Sequence, residues 1–346
     1  MTTPIHTIGI VGGNLVAAML CLEAKKRGIQ TILLEPELRN IASEVADSHM
    51  TSTIHKQSLE RLGLRTDALI FCTSNIPVLD GNFIEENRCY PGREGIELVA
   101  SRVEQLVTAQ LCDVPTPPFF HESNKLKFFK QLENIKLPFK LYQIYNDGYE
   151  MLEVNEPEDI ENFLMEVDEE AVEWLIEEVT EYERILSITA LANHQKVFTY
   201  PIQEENLKEN DVKYISMPAS ITKSMEQKLS KYTRKILKEK ECEGVFTLKF
   251  GVKKNRSVEL ININPGITVG DIATNHYTDL SVYEQFFNLI EGKPLKDGEL
   301  MKPCTVTIVQ RDDKNHIPAF PYHYYVMDKN NKMPVSLYVK QDNIEK

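Results

Sequence analysis

Residues 244–266 read GVFTLKFGVKKNRSVELININPG. Two apolar runs rich in β-branched and aromatic residues flank the polar turn Lys253-Lys254-Asn255-Arg256, the pattern of a β-hairpin. Side chains alternate across a strand, so Val245, Thr247 and Lys249 share one face and Phe246, Leu248 and Phe250 the other. On the second run Leu260, Asn262 and Asn264 alternate with Glu259, Ile261 and Ile263. The simplest register gathers Lys249, Asn262 and Asn264 on one face of otherwise apolar strands. Leaving such groups buried and unpaired costs roughly 1–3 kcal/mol each. Two readings are open here: an amphipathic hairpin with a wetted face, or the floor of a ligand site.

The segments before the hairpin set its context. Residues 5–36 read strand, glycine turn, helix, strand, with Ile8–Val11 and Thr31–Leu34 as the strands and Leu15–Arg27 as the helix. This βαβ start predicts a parallel α/β sheet. The Gly12-Gly13-Asn14 turn could bring backbone close to a phosphate at the helix N-terminus, but the full G-x-G-x-x-G spacing is absent, and many such turns are merely tight. A third strand, Asp67–Phe71, runs into Cys72-Thr73-Ser74-Asn75, where ligands of open α/β sheets bind; an ordinary loop is the competing reading. Residues Glu94–Leu111 predict one helix, and Asp113–Pro118 a rigid linker. A helix over 124–136 and strands at Pro138–Tyr145 and Glu150–Val154 follow. From Glu150 to Glu183 the chain carries 15 acidic residues and no Lys or Arg, mostly a solvated face and a poor place to receive a polyphosphate. Residues Ser220–Glu241 predict a basic amphipathic helix packed on a sheet. A helix at Val282–Glu291 and three strands, Cys304–Val309, Tyr322–Met327 and Val335–Val339, complete the chain as a small C-terminal β unit.

Composition narrows the function. The 346 residues suggest two or three domains, and 42% hydrophobic content can fill real cores. No apolar run of ~18 residues is present, so no membrane span is expected, nor does the start read as a signal peptide; a cytoplasmic protein is expected. Net charge is −13, which argues against nucleic-acid binding. The six cysteines include no Cys-x-x-Cys and the eight histidines no ligand-like pairing, so neither a disulfide framework nor a zinc site is expected.

This order of elements, with its punctuating residues, resembles the ATP-grasp family and, within it, the N5-carboxyaminoimidazole ribonucleotide synthetases. The matching stretches run in one order along nearly the whole chain. They include Ile8–Gly13, Leu34-Glu35-Pro36, Val45-Ala46-Asp47, Asn75-Ile76-Pro77, Glu177-Glu178 followed by Tyr182–Ser187, Pro218-Ala219, Val258-Glu259-Leu260, Gly292–Leu295 and Leu300–Pro303. The resemblance implies an α/β fold in three parts. These are a Rossmann-like parallel domain over 1–113, an ATP-grasp α+β domain over 114–295 and a small β domain over 296–346. It also implies ATP-dependent carboxylation of aminoimidazole ribonucleotide with bicarbonate, with Mg²⁺ held by oxygen ligands, and it makes a homodimer and a small-molecule partner reasonable expectations.

Carried over position by position, most of the family's functional groups are replaced. Its two metal glutamates fall at Lys249 and Asn262. Its phosphate lysines fall at Leu106 and Tyr142, although Arg102 is kept. Its glycine-rich lid shrinks to Tyr145–Glu150, with Gly148 the one glycine, and its ribose glutamate falls at Ile185, although Glu177 and Glu178 are kept. On the nucleotide-substrate side, the positions are Gly12, Gly13, Asn14, Glu35, Cys72, Ser74, Met327 and Lys332, with Cys72 and Ser74 where the family has glutamates. An ammonium at Lys249 supplies less field than Mg²⁺ and no bridging geometry; the reading prefers that Lys249 pairs with an acidic side chain. The function expected is a catalytically inactive or impaired homologue of the synthetase that uses no ATP or magnesium. The alternatives are an active ligase that does use them, on the family's substrate or a changed one, and a dinucleotide oxidoreductase suggested only by Gly12-Gly13 and Glu35.

Overall fold

The computed structural model describes residues 4–73, 76–77, 79–132, 135–145, 148–165, 170–208, 211–310, 318, 321–326 and 335–342. At the N-terminus the chain runs β1 (Thr7–Val11), α1 (Leu15–Lys26), β2 (Gln30–Leu34), β3 (Ser48–Met50), α2 (Lys56–Gly63), β4 (Ala68–Phe71), α3 (Gly81–Glu86) and β5 (Cys89–Tyr90). The five strands form one parallel sheet in the order β3-β2-β1-β4-β5. Chain order reverses between β1 and β4, so the crevice above their carboxyl ends is a topological switch point.

Next come α4 (Arg93–Ala100) and α5 (Arg102–Leu111), two helices where the sequence predicts one. Ser101 is extended at φ −115° and ψ 116°, and its hydroxyl accepts from the Glu104 amide. A serine cap competes with helix continuation because its oxygen satisfies a backbone donor that the first turn leaves open.

A small antiparallel sheet follows, in the order β6-β9-β7-β8. Its elements are β6 (Phe119–Glu122), α6 (Lys125–Leu132), β7 (Phe139–Tyr145), β8 (Gly148–Val154), α7 (Pro157–Met165) and β9 (Glu173–Glu178). Then come β10 (Arg184–Asn193), β11 (Val197–Thr199), β12 (Gln203–Lys208), β13 (Asp211–Met217), α8 (Lys223–Glu239), β14 (Glu243–Val252) and β15 (Val258–Pro265). After a short 3₁₀ turn at Val269–Ala273 lie α9 (Thr274–Tyr277), α10 (Val282–Ile290), β16 (Cys304–Gln310), β17 (His323–Val326) and β18 (Val335–Gln341). The large sheet runs β15-β14-β10-β12-β13-β16-β18-β17, with β11 on β10. The C-terminal strands therefore extend this sheet through the β13–β16 pairing instead of forming one of their own.

The hairpin is β14 and β15. Phe246, Leu248 and Phe250 are fully buried in the core beneath α8, where Tyr232 stacks on Phe250 at 6.5 Å. Val245, on the opposite face, packs into the core shared with α1 and α10. The second face is only partly open, with Val245 and Thr247 buried and Lys249, Asn262 and Asn264 half-buried, so it is not a solvated outer face, which corrects the amphipathic reading. The register differs as well. Lys249 pairs with Asn262 but Phe250 pairs with Leu260, so Ile261 has no partner and forms a bulge. The bulge flips the alternation: Leu260 joins the Phe250 side in the core, while Asn262 and Asn264 stay opposite Lys249 and Thr247.

The two halves of the chain meet where α10 packs on α1. Arg27 bonds Glu23 at 2.9 Å and Glu291 at 2.5 Å, and lies over the Phe287 ring. Truncating Phe250 to alanine removes an aromatic ring from the core under the central strand; a loss of about 3–5 kcal/mol is expected, read as a lowered urea midpoint.

Candidate functional site

Two clusters assemble from distant segments. The first lies between α5 and the small sheet. Arg102, in the first turn of α5, makes a two-pronged ion pair with Glu177 of β9: Nε donates to Oε2 at 2.9 Å and Nη2 donates to Oε1. Both side chains are about nine-tenths buried. The Arg102 Nη1 donates to Gln105 Oε1 at 3.3 Å, and the Tyr142 hydroxyl donates to Glu177 Oε2 at 3.3 Å. Burial, and then the adjacent Glu177 carboxylate, push the Tyr142 phenol far above its ordinary pKa. Beneath this polar lid Leu106, Tyr142 and Leu175 form one buried apolar cluster, flanked by Val103, Phe119 and Ile144. Leu106 and Tyr142, separated in sequence, thus touch the same small core. Glu178 is exposed, Ile185 half-buried, and Gly148 exposed at the start of β8 with open space around its α-carbon.

The second cluster sits on the hairpin. Lys249 and Asn262 face each other across β14 and β15. The Lys249 ammonium pairs with Glu205 of β12, at 2.8 Å to Oε1 and 3.0 Å to Oε2. Asn262 donates to Asn264 Oδ1 at 3.3 Å, while its own Oδ1 is buried with no hydrogen-bond partner among the described residues. Beside them Asp271 is wholly buried; it accepts from Gln203 at 2.7 Å, Thr189 at 3.0 Å and Thr268 at 2.8 and 2.9 Å. Burial raises its pKa, and these donors oppose the rise.

The crevice above β1 and β4 opens onto this hairpin. A cavity of about 230 Å³ lies there, lined by Phe71 at the end of β4 with Cys72 and Thr73 after it, and by Lys249, Asn264 and Thr268 on the other side. Most of its remaining wall is apolar, from Val16, Leu20, Val245, Ile267 and Phe286. Burial pushes the Cys72 thiol well up, so it is a neutral wall group. The glycine turn is less open. Gly12 has φ +104°, and a β-carbon there would lie 3.2 Å from the Cys72 carbonyl. A β-carbon on Gly13 would meet Glu35 and Asn40 at 2.6–2.7 Å. Asn14 caps α1 by accepting from the Ala17 amide and also donates to the Cys72 carbonyl at 2.7 Å. Glu35, Asn40 and Asn14 thus pack closely around the glycine turn.

Of the residues singled out in the sequence, Arg102, Leu106, Tyr142 and Glu177 meet in the first cluster. Lys249 and Asn262 meet in the second, and Cys72 shares a cavity with Lys249. Ser74, Met327 and Lys332 lie outside the described residues. Sequence reasoning expected an acid beside Lys249 without naming Glu205, and it missed Leu175, Thr189, Gln203 and Asp271. For Glu205 the only signal was an acid in a polar run of no clear periodicity. Asp271 stood out only as a lone carboxylate in an apolar loop.

His276 lies on α9, off the hairpin. Its ring stacks on His323 at 3.5 Å between centroids and bonds the Tyr325 hydroxyl at 2.5 Å. Burial, then the neighbouring His323, bring its pKa down to about 4.

Two outcomes follow. Replacing Arg102 by methionine strands the Glu177 carboxylate in the interior, and a loss of about 3–5 kcal/mol is expected by chemical denaturation; adding Glu177→Leu should recover much of it. For His276 the folded pKa lies below the unfolded value of ~6.5, so as pH falls the unfolded chain takes up the proton first. Its contribution is complete above the unfolded value and drains away as pH falls toward 4. The melting temperature of His276→Phe should decline less steeply across that window than that of the parent chain.

Residues 5–99 match the ribonucleotide synthetase preATP-grasp domain, and residues 107–265 match the ATP-grasp domain. The chain is 22% identical over 344 residues to the N5-carboxyaminoimidazole ribonucleotide synthase of Staphylococcus aureus strain COL, covering 94% of this chain and 89% of that one. It is 25% identical over 337 residues to the enzyme of that name from Staphylococcus haemolyticus, covering 92% and 88%. Among solved structures, the N5-carboxyaminoimidazole synthetase of Staphylococcus aureus superposes with a TM-score of 0.80 at 20% identity, over 97% of this chain and 94% of that one. An ADP complex of an N5-carboxyaminoimidazole ribonucleotide synthetase gives 0.79 at 18% identity, over 100% and 95%. The chain thus joins a preATP-grasp domain to an ATP-grasp domain and is similar along its length to the N5-carboxyaminoimidazole ribonucleotide synthetases.

Proposed function

We propose that this chain is a relative of the N5-carboxyaminoimidazole ribonucleotide synthetases that keeps their fold and has lost, or nearly lost, their ligase chemistry. The observation that carries the reading is the apolar cluster of Leu106, Tyr142 and Leu175. The two positions that resemblance assigns to phosphate lysines are both in it. Phosphoryl transfer depends on cationic groups and metal aimed at the transferring phosphate, and here that place holds an aliphatic side chain and a phenol. The kept arginine and glutamate bind each other, which leaves neither free to hold a ligand.

The family's metal positions support the same reading. Mg²⁺ takes hard oxygen donors, chiefly carboxylates with phosphates and water. The donor set here is one amide oxygen beside an ammonium already paired with Glu205. These residues do not fit the ion, so no step is assigned to it. The cavity of about 230 Å³ between the first sheet and the hairpin is where a small molecule would be held, with Lys249, Asn264, Thr73 and Thr268 as its polar contacts. In this reading residues 1–113 form the preATP-grasp part, 114–295 the ATP-grasp part and 296–346 the C-terminal part.

Isothermal titration with magnesium ATP tests the proposal, together with a phosphate-release assay in the presence of bicarbonate and aminoimidazole ribonucleotide. No saturable heat and no substrate-dependent release are expected. Micromolar affinity with turnover that needs both co-substrates would overturn the proposal and restore the active ligase.

A further inference from the structure

A second concavity shares no lining residue with the cavity above. It is a groove of about 1060 Å³ between the outer face of α8 and the segments at 199–202, 218–221 and 297–300. Along α8 its wall is made by Lys223, Gln227, Lys231, Lys235 and Lys238, a stripe at three- and four-residue spacing, joined by Arg234. Lys235 pairs with Asp113 at 2.9 Å and Arg234 with Asp297 at 2.6 Å. Lys223, Lys231 and Lys238 are exposed and have no ion-pair partner among the described residues. The accessible part of the floor is apolar, formed by Pro201 and Pro218 with Ile202 and Ala219 buried behind them. A row of unpaired lysines over an apolar floor stands out on a chain of net charge −13.

The dimensions point to an extended ligand. Residues 223 to 238 span ~22 Å of helix at about 1.5 Å per residue. An extended chain advances about 3.3 Å per residue, so the wall matches roughly seven residues. The charge pattern distinguishes a peptide from a nucleic acid. Glu226, Asp297 and Glu299 also line the groove, Asp297 already paired with Arg234; a backbone with a phosphate at every residue would meet these acids, whereas a peptide with carboxylates at alternate positions can set uncharged residues against them. Tyr200, the aromatic residue of the lining, is 3% exposed and offers no platform for stacked bases.

We propose that this groove binds an extended acidic segment of a partner protein, about seven residues long, in which carboxylates meet the lysine row and alternate apolar side chains rest on the proline-rich floor. Lysines at such a rim steer and select an oppositely charged partner, and the apolar floor holds it.

Fluorescence anisotropy of the full chain with a fluorescein-labelled octapeptide of alternating Glu and Leu tests this. Saturable binding is expected, weakened about tenfold or more when salt rises from ~0.1 to ~1 M, since screening shortens from about 10 to 3 Å. The same loss is expected in the double variant Lys223→Glu/Lys231→Glu, and with a Gln/Leu peptide. Both lysines are exposed and unpaired, so the variant should keep the parent's melting curve, and that curve is the control for folding. The proposal is overturned by absence of saturable binding, by equal binding to the double variant, or by tighter binding of a labelled oligothymidylate. Concentration-dependent self-association that disappears in the variant would also overturn it, because the occupant would then be a second copy of this chain.

Discussion

Everything in the site depends on β14 being enclosed. It is hydrogen-bonded along its entire length to β10 on one edge and, from Phe246 on, to β15 on the other. One face enters the core under α8, and the other meets the core of α1 and α10. A strand enclosed in this way leaves its polar side chains little access to bulk water, Lys249 keeping the most at 28% exposure, so buried ones need a partner in the protein or become costly orphans. Thr247 bonds Thr189, which bonds Asp271, and Lys249 bonds Glu205. Two buried atoms of this network have no hydrogen-bond partner among the described residues: Gln203 Oε1 and, on the neighbouring strand, Asn262 Oδ1. Asn262 lies opposite Lys249, at the edge of the polar network.

Under the proposed function, the same constraint is how a cleft could lose its charged groups and still keep its shape. Ligand-binding lysines at the positions of Leu106 and Tyr142 would need counter-ions or a bound anion when buried. Here an aliphatic side chain and a phenol fill the space and pack on Leu175, so the interior is complete without a ligand. The Arg102–Glu177 pair survives because removing either partner would leave a bare charge in a dry place. Retention of those two residues is therefore as well explained by packing electrostatics as by catalysis. The crevice at the switch point remains partly open, and it is there that free volume and polar side chains coincide.

Much of the architecture was legible because it rests on local periodicity. The βαβ start, the hairpin, α8 and α10 all carry apolar repeats of the right period, and their order along the chain carried the family resemblance. Other features were not legible, for identifiable reasons. The break at Ser101 depends on a single hydroxyl outcompeting helix continuation. Strands β12 and β13 were missed because residues such as Gln203-Glu204-Glu205-Asn206 have no strand-like alternation; they are extended because β10 and β16 clamp them from either side. The bulge at Ile261 has no local signature, yet it decides that Leu260 enters the core while Asn262 faces Lys249.

The sequence by itself determined which chemical groups stand at the positions that the resemblance assigns to metal and phosphate: an amine and an amide at the first, a methyl-bearing chain and a phenol at the second. Those identities are covalent and need no fold to be read. Only the tertiary structure decided what each group does. Lys249 meets an acid 44 residues away in the chain, and Arg102 meets one 75 residues away. Pairings at such separations are set by sheet order and register, which depend on the packing of the whole core and not on any local stretch.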